Sequence, residues 1–171
     1  MINPKMEAAL NQQINEEFYS SFLYLSMSAY FESVNMTGFA NWMKVQTQEE
    51  YFHATKFYNY LIQKGGRVQL NAIQKPKTEW KSLVEVFEET YAHEQKISSL
   101  INGLVDLALE VRDHATNSFL QWFVTEQVEE EANVTKILED LKVIGDNKSV
   151  LFMIDREVGQ RVFTQPADTT A

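Results

Sequence analysis

Four stretches of this chain carry an apolar stripe at helical spacing, and each stripe holds a carboxylate near its middle: Glu17, Glu50, Glu94 and the Gln127/Glu130 pair. Nothing else constrains the fold as tightly. Helices striped in this way bury the stripe against one another, so the acids go inward with it. An unpaired buried carboxylate is very unfavourable, and four at one level of a bundle call for positive charge among them. A pair of metal ions is the simplest source.

The elements follow from the stripes and their caps. Asn3 and Pro4 make a helix start, and Met6, Leu10, Gln13, Glu17, Ser20, Tyr24, Met27 and Phe31 predict a first helix over about 4–33. After a turn around Asn35 to Gly38, the stripe from Phe39 through Gln46, Glu50 and His53 to Tyr60 predicts a second over about 37–64, stopped by Gly65 and Gly66. Residues 67–81 lack a helical period, contain Pro76, and are long enough for an end-to-end crossover. A Ser82/Glu85 capping box opens a third helix over about 82–112, and Asp113 caps a fourth over about 114–143. A short fifth, over about 147–162, holds the run Val150 to Ile154, which is apolar on more faces than a surface helix should be and needs a partner beyond its own bundle. The polar tail 164–171 is expected to be loose. The expected fold class is all-α. One domain over 1–171 forms a four-helix bundle of two hairpins joined by a long crossover, with a short C-terminal helix.

Composition removes several chemistries. The chain of 171 residues has no cysteine, which excludes disulfides, thiolate metal sites, iron–sulfur clusters and a cysteine nucleophile. Any metal must take oxygen and nitrogen ligands. The net charge of −9 argues against a nucleic-acid partner and favours attraction of cations. No apolar run approaches a bilayer span and no secretory signal is visible, so no membrane partner and a cytoplasmic location are expected.

Taken singly, each acid reads as a boundary residue reaching solvent; their shared height in four helices makes coincidence the poorer account. Glu50 and His53 form an E-x-x-H pair, projecting carboxylate and imidazole from one helix face a turn apart. Of the three histidines, His53, His93 and His114, only His53 has this spacing on the inward stripe. An oxygen-rich site with one imidazole suits iron or manganese, and hard carboxylates favour the ferric over the ferrous ion. Glu50 is centrally placed to bridge two ions.

The stretches NQQINEEFYSSFLYLSMSAYFE, GFANWMKVQTQEEYFHATKFYNYL and FLQWFVTEQVEEEANVTKILEDL together resemble the non-haem bacterial and archaeal ferritins, and the resemblance covers nearly the whole chain. It implies that Glu17, Glu50 and His53 hold one iron and Glu50, Glu94 and Glu130 the other, with Gln127 within hydrogen-bonding distance. It also implies an accessory third iron on Glu49, Glu126, Glu129 and Glu130, and a Tyr24 able to hydrogen-bond or donate an electron near the metals. Bacterioferritins and rubrerythrins repeat E-x-x-H on the fourth helix, where this chain has Gln127-x-x-Glu130. Bacterioferritins bind haem through a methionine beside the second-helix glutamate, where this chain has Phe52, so no haem is expected. The implied function is iron storage: a ferroxidase centre oxidises Fe(II) with dioxygen or hydrogen peroxide, and a homo-oligomer of twenty-four subunits in octahedral symmetry holds the mineral. A discrete di-iron enzyme and a purely structural bundle are the rival readings.

Overall fold

A computed structural model describes residues 2–145 and 147–165. It contains α1 (Pro4–Ser33), α2 (Thr37–Gln63), α3 (Leu83–Glu110), α4 (His114–Ile144) and α5 (Lys148–Val158), with no strand among the described residues. The first four bounds fall within two residues of those read from the stripes. Asn3 accepts from the Lys5 amide, Ser82 from the Glu85 amide and Asp113 from the Thr116 amide, each satisfying an N–H that the first turn leaves without a partner.

The sharp reversals come from left-handed residues. At the end of α2, Gly65 has φ +77°, while the Gly66 amide donates to the Leu61 carbonyl and the Gly65 amide to Ile62, a Schellman closure. Asn35 and Arg112, at φ 60° and 57°, make the same closure after α1 and α3. Both turns are short, so α1 pairs with α2 and α3 with α4 as antiparallel hairpins. The connection from α2 to α3 instead climbs the outside of α1. Asn11 donates to the Arg67 carbonyl and accepts from the Gln69 amide, and further along Ser26 donates to the Lys77 carbonyl. Trp80 then buries its ring against Tyr30 and donates its indole N–H to Glu89.

The core is split. One apolar cluster, with Phe31, Phe39, Trp42 and Phe87, fills the end of the bundle nearest α5; a second, with Met6, Leu10, Phe57 and Phe123, fills the other end. Between them runs a buried polar belt that includes Glu17, Gln46, Glu50, His53, Glu94, Gln127 and Glu130. A bundle accepts such a break only if the belt is itself satisfied.

The fifth helix corrects the expected bounds: it ends at Val158 rather than near 162. Gly159 closes it, and Asn41 of α2 donates to the carbonyls of Gly159 and Arg161, holding the following chain extended. Its docking rests on two features absent from the stripe pattern. A Cβ on Gly38 would lie 1.6 Å from the Asp155 carbonyl oxygen, so only glycine lets α5 approach α2 this closely. The buried Asp155 carboxylate also accepts from the Phe39 amide, capping the N-terminus of α2, where Met36 has no side-chain cap. Leu151, Ile154 and Val158 pack on the bundle, whereas Phe152 and Met153 are 60% and 68% exposed. The tail beyond 165 lies outside the described residues.

Candidate metal centre

Each belt residue arrives on its own helix by the spacing that made the stripe. Glu17 comes from α1, Glu50 and His53 from α2, Glu94 from α3, and Gln127 and Glu130 from α4; all are at least nine-tenths buried. One ligand atom from each of Glu17, Glu50 and His53 lies within 4.8 Å of the others. Glu17 Oε2 and Glu50 Oε2 have no hydrogen-bond partner among the described residues. His53 Nδ1 is 3.4 Å from Glu50 Oε2 without hydrogen-bonding it.

Burial pushes the Glu17 and Glu50 carboxyls well above the usual carboxylate range, helped for Glu17 by the Glu50 charge and for Glu50 by Glu94 and Glu130. Glu94 is pushed up to about 8, again first by burial and then by Glu130. Without a cation to displace it, the proton stays on these carboxyls well above the pH at which an exposed glutamate loses it. Two buried oxygens with no donor aimed at them, beside an imidazole, fit a hard cation with oxygen and nitrogen ligands.

The α3 and α4 side is furnished differently. Tyr24 donates its hydroxyl to Glu94 Oε1 in a short hydrogen bond. Gln127 Nε2 donates to Glu94 Oε2 at 3.2 Å and to Ser98 Oγ at 3.3 Å. Glu130 Oε2 accepts from Gln46 Nε2 at 2.9 Å, and across the belt Glu17 Oε1 accepts from Gln13 Nε2 at 2.8 Å. Gln13 and Gln46 stand four residues before Glu17 and Glu50 on the same stripes, a polar spacing visible in the sequence but not there assigned to holding the acids.

The remaining acids are less gathered. Glu126 Oε1 is 4.0 Å from His53 Nε2, and Glu49 is half-buried with its carboxyl raised to about 7 by burial. Glu129 is exposed, and none of the three joins the close Glu17, Glu50, His53 group. Glu131 accepts a short hydrogen bond from Ser98. His93 turns away from the acids: its Nε2 meets Ser20 Oγ at 2.8 Å, and burial lowers its pKa to about 4. Phe52 and Trp122 flank His53, the latter 5.4 Å between centroids.

Known proteins are similar to this chain in both sequence and architecture. The ferritin-like domain model matches residues 7–144. A bacterial non-haem ferritin of Bacteroides fragilis is 46% identical over 161 residues, covering 94% of this chain and all of that protein. One from Staphylococcus saprophyticus is 40% identical over 165 residues, covering 96% of this chain and 99% of that protein. An open-pore ferritin of the archaeon Archaeoglobus fulgidus superposes with a TM-score of 0.94 at 48% identity, covering 95% of this chain and the whole of that one. With the family match spanning the bundle and relatives aligned along almost their full length, the chain belongs to the ferritin family of iron-storage proteins.

Proposed function

We propose that the polar belt is a ferroxidase centre feeding an iron store. Glu17, Glu50 and His53 take one ferrous ion, and Glu50, Glu94 and Glu130 take a second, with Glu50 shared. The observation that carries this reading is the pair of buried, partnerless oxygens on Glu17 and Glu50 at the junction of the two apolar clusters. Buried carboxylates favour the ferric ion, so two bound ferrous ions each give up one electron. With dioxygen as acceptor, two electrons and two protons leave hydrogen peroxide; with peroxide as acceptor, two electrons and two protons leave two waters.

Around the ions, Gln127 and Tyr24 orient Glu94, Gln46 orients Glu130 and Gln13 orients Glu17. Glu49, Glu126 and Glu129, with Glu130, supply the accessory third position. Ferric ions leave the belt, hydrolyse, and collect as mineral inside a closed assembly of copies of this chain. The exposed Phe152 and Met153 of α5 supply a contact between those copies. Twenty-four subunits in octahedral symmetry is the proposed assembly, and the cytoplasm the proposed compartment.

Aerobic addition of a large molar excess of Fe²⁺, followed by mass and metal analysis, tests this. Soluble, mineral-filled particles with the mass of twenty-four 19.8 kDa chains are expected. A few tightly held irons per chain would instead indicate a discrete di-iron enzyme, and free rust with none retained would sink both readings. Phe152→Asp should prevent closed assembly, and a variant that still forms the full shell removes α5 from that role.

A further inference from the structure

Arg161 lies beyond α5 in sequence, yet its guanidinium ends on α2 beside the belt. Nη2 donates to Glu49 Oε2 at 2.7 Å, and Nη1 donates to Gln46 Oε1 in a short hydrogen bond. The group lies over Trp42, with Cζ 4.8 Å from the ring centroid. Gln46 extends the connection inward by donating to Glu130 Oε2. The position is built: Asn41 holds the carbonyls of Gly159 and Arg161 at 3.1 and 2.9 Å, and the side chains of Arg161 and Glu49 are only 22% and 19% exposed. A fixed positive charge thus touches one acid directly and reaches a second through one amide.

Resting on the proposed accessory role of Glu49, we propose that Arg161 competes with metal for its carboxylate. Guanidinium and cation exclude each other there, so an ion occupies the accessory position only when Arg161 swings aside. The C-terminal segment thereby sets how readily iron fills that position. A guanidinium suits this task because it stays charged across the working pH range, and its fork meets Glu49 and Gln46 together. A second resting place is at hand. A cavity of about 410 Å³ lies between α2, α4 and α5, and its lining includes Arg161, Asp140, Glu157 and Lys136, so two carboxylates set against one ammonium can receive the displaced group.

Calorimetric titration of the assembled, iron-free protein with Zn²⁺, which takes no part in redox turnover, tests the competition. In Arg161→Gln the accessory ion should bind about tenfold tighter than in the wild type, with Arg161→Lys intermediate. Equal accessory affinities in the wild type and Arg161→Gln overturn the proposal. Zn²⁺-soaked crystals read the same question without relying on how well a variant assembles. In the wild type, a zinc ion on Glu49 should coincide with the guanidinium turned towards Asp140 or Glu157. Zinc and guanidinium together on Glu49, or no zinc at Glu49 in any of the three proteins, overturn it. Glu50→Ala separates this from the reading beneath it: if that variant keeps full zinc stoichiometry, the ferroxidase assignment fails, whatever Arg161 does.

Discussion

The two sides of the belt are unlike. On the side of α1 and α2, Glu17 and Glu50 each have an oxygen with no donor, and Gln13 serves only the other oxygen of Glu17. On the side of α3 and α4, both oxygens of Glu94 are held, by Tyr24 and Gln127, and Glu130 is held by Gln46. Protein donors that favour the charged form already do part of a cation's work on the second side and leave it undone on the first. The first side is therefore expected to bind the first ion, and the second to be tuned for the ion that follows.

Glu50 stands between the sides and feels Glu94 and Glu130 as well as Glu17. Its replacement is expected to have the largest effect of any single change. Stopped-flow measurement of Fe²⁺ oxidation in Glu50→Ala and His53→Ala should show initial rates down by on the order of 100-fold. Rates near wild type would remove both residues from the centre. A finer contrast tests the asymmetry itself. Glu17→Ala should weaken the first Zn²⁺ about tenfold more than Glu94→Ala does, and equal losses would show the two sides to be equivalent.

The burial that both sides share predicts an unusual pH dependence without metal. Glu94 ionises near 4.5 when unfolded and near 8 when folded, so between those values the unfolded chain has released a proton that the folded one keeps. The stabilisation that Glu94 contributes is therefore full below about pH 4.5, falls as pH rises, and is gone above about 8; Glu17 and Glu50 act in the same direction. Metal-free protein should melt on the order of 5–10 °C lower at pH 8 than at pH 5. Zn²⁺ should reverse the slope, because the ion binds deprotonated ligands. A flat metal-free curve would mean that the belt carboxyls are not buried in the way described.

Much of the fold was legible because its determinants are local. The stripes set the helix faces, and Asn3, Ser82, Asp113 and Gly65 set the ends, each within a few residues of the element it bounds. The belt was legible for the same reason: an acid on an inward stripe declares its face without knowledge of its partners. Long-range chemistry was not legible. Asp155 caps the Phe39 amide across 116 residues, and Arg161 meets Glu49 across 112, so no window of sequence brings either pair together. The expected end of α5 ran past Gly159, the residue that closes the helix and a stop signal of the same kind as Gly65. Its close approach to Gly38 and the hold of Asn41 on its carbonyl exist only after docking. Gln13 and Gln46 were in plain view, but a glutamine on a stripe does not announce which acid it will hold.

The smallest expected effect is also the most discriminating. Tyr24→Phe removes one hydroxyl and leaves a ring that can keep the edge-on packing against His93, 5.9 Å between centroids. The hydroxyl donates to Glu94 and lowers its pKa, which burial otherwise raises. Without it, Glu94 holds its proton more tightly, and a second ion must displace that proton to bind. Near pH 7 the second Zn²⁺ should weaken by about three- to fivefold, in line with a single lost hydrogen bond, while the first is unchanged. The difference should fade above about pH 9, where Glu94 is ionised in both proteins. Calorimetry at the two pH values checks this. An equal loss for both ions would show that Tyr24 serves the whole belt, and a difference that persists at high pH would show that the hydroxyl acts on the metal rather than through the Glu94 proton.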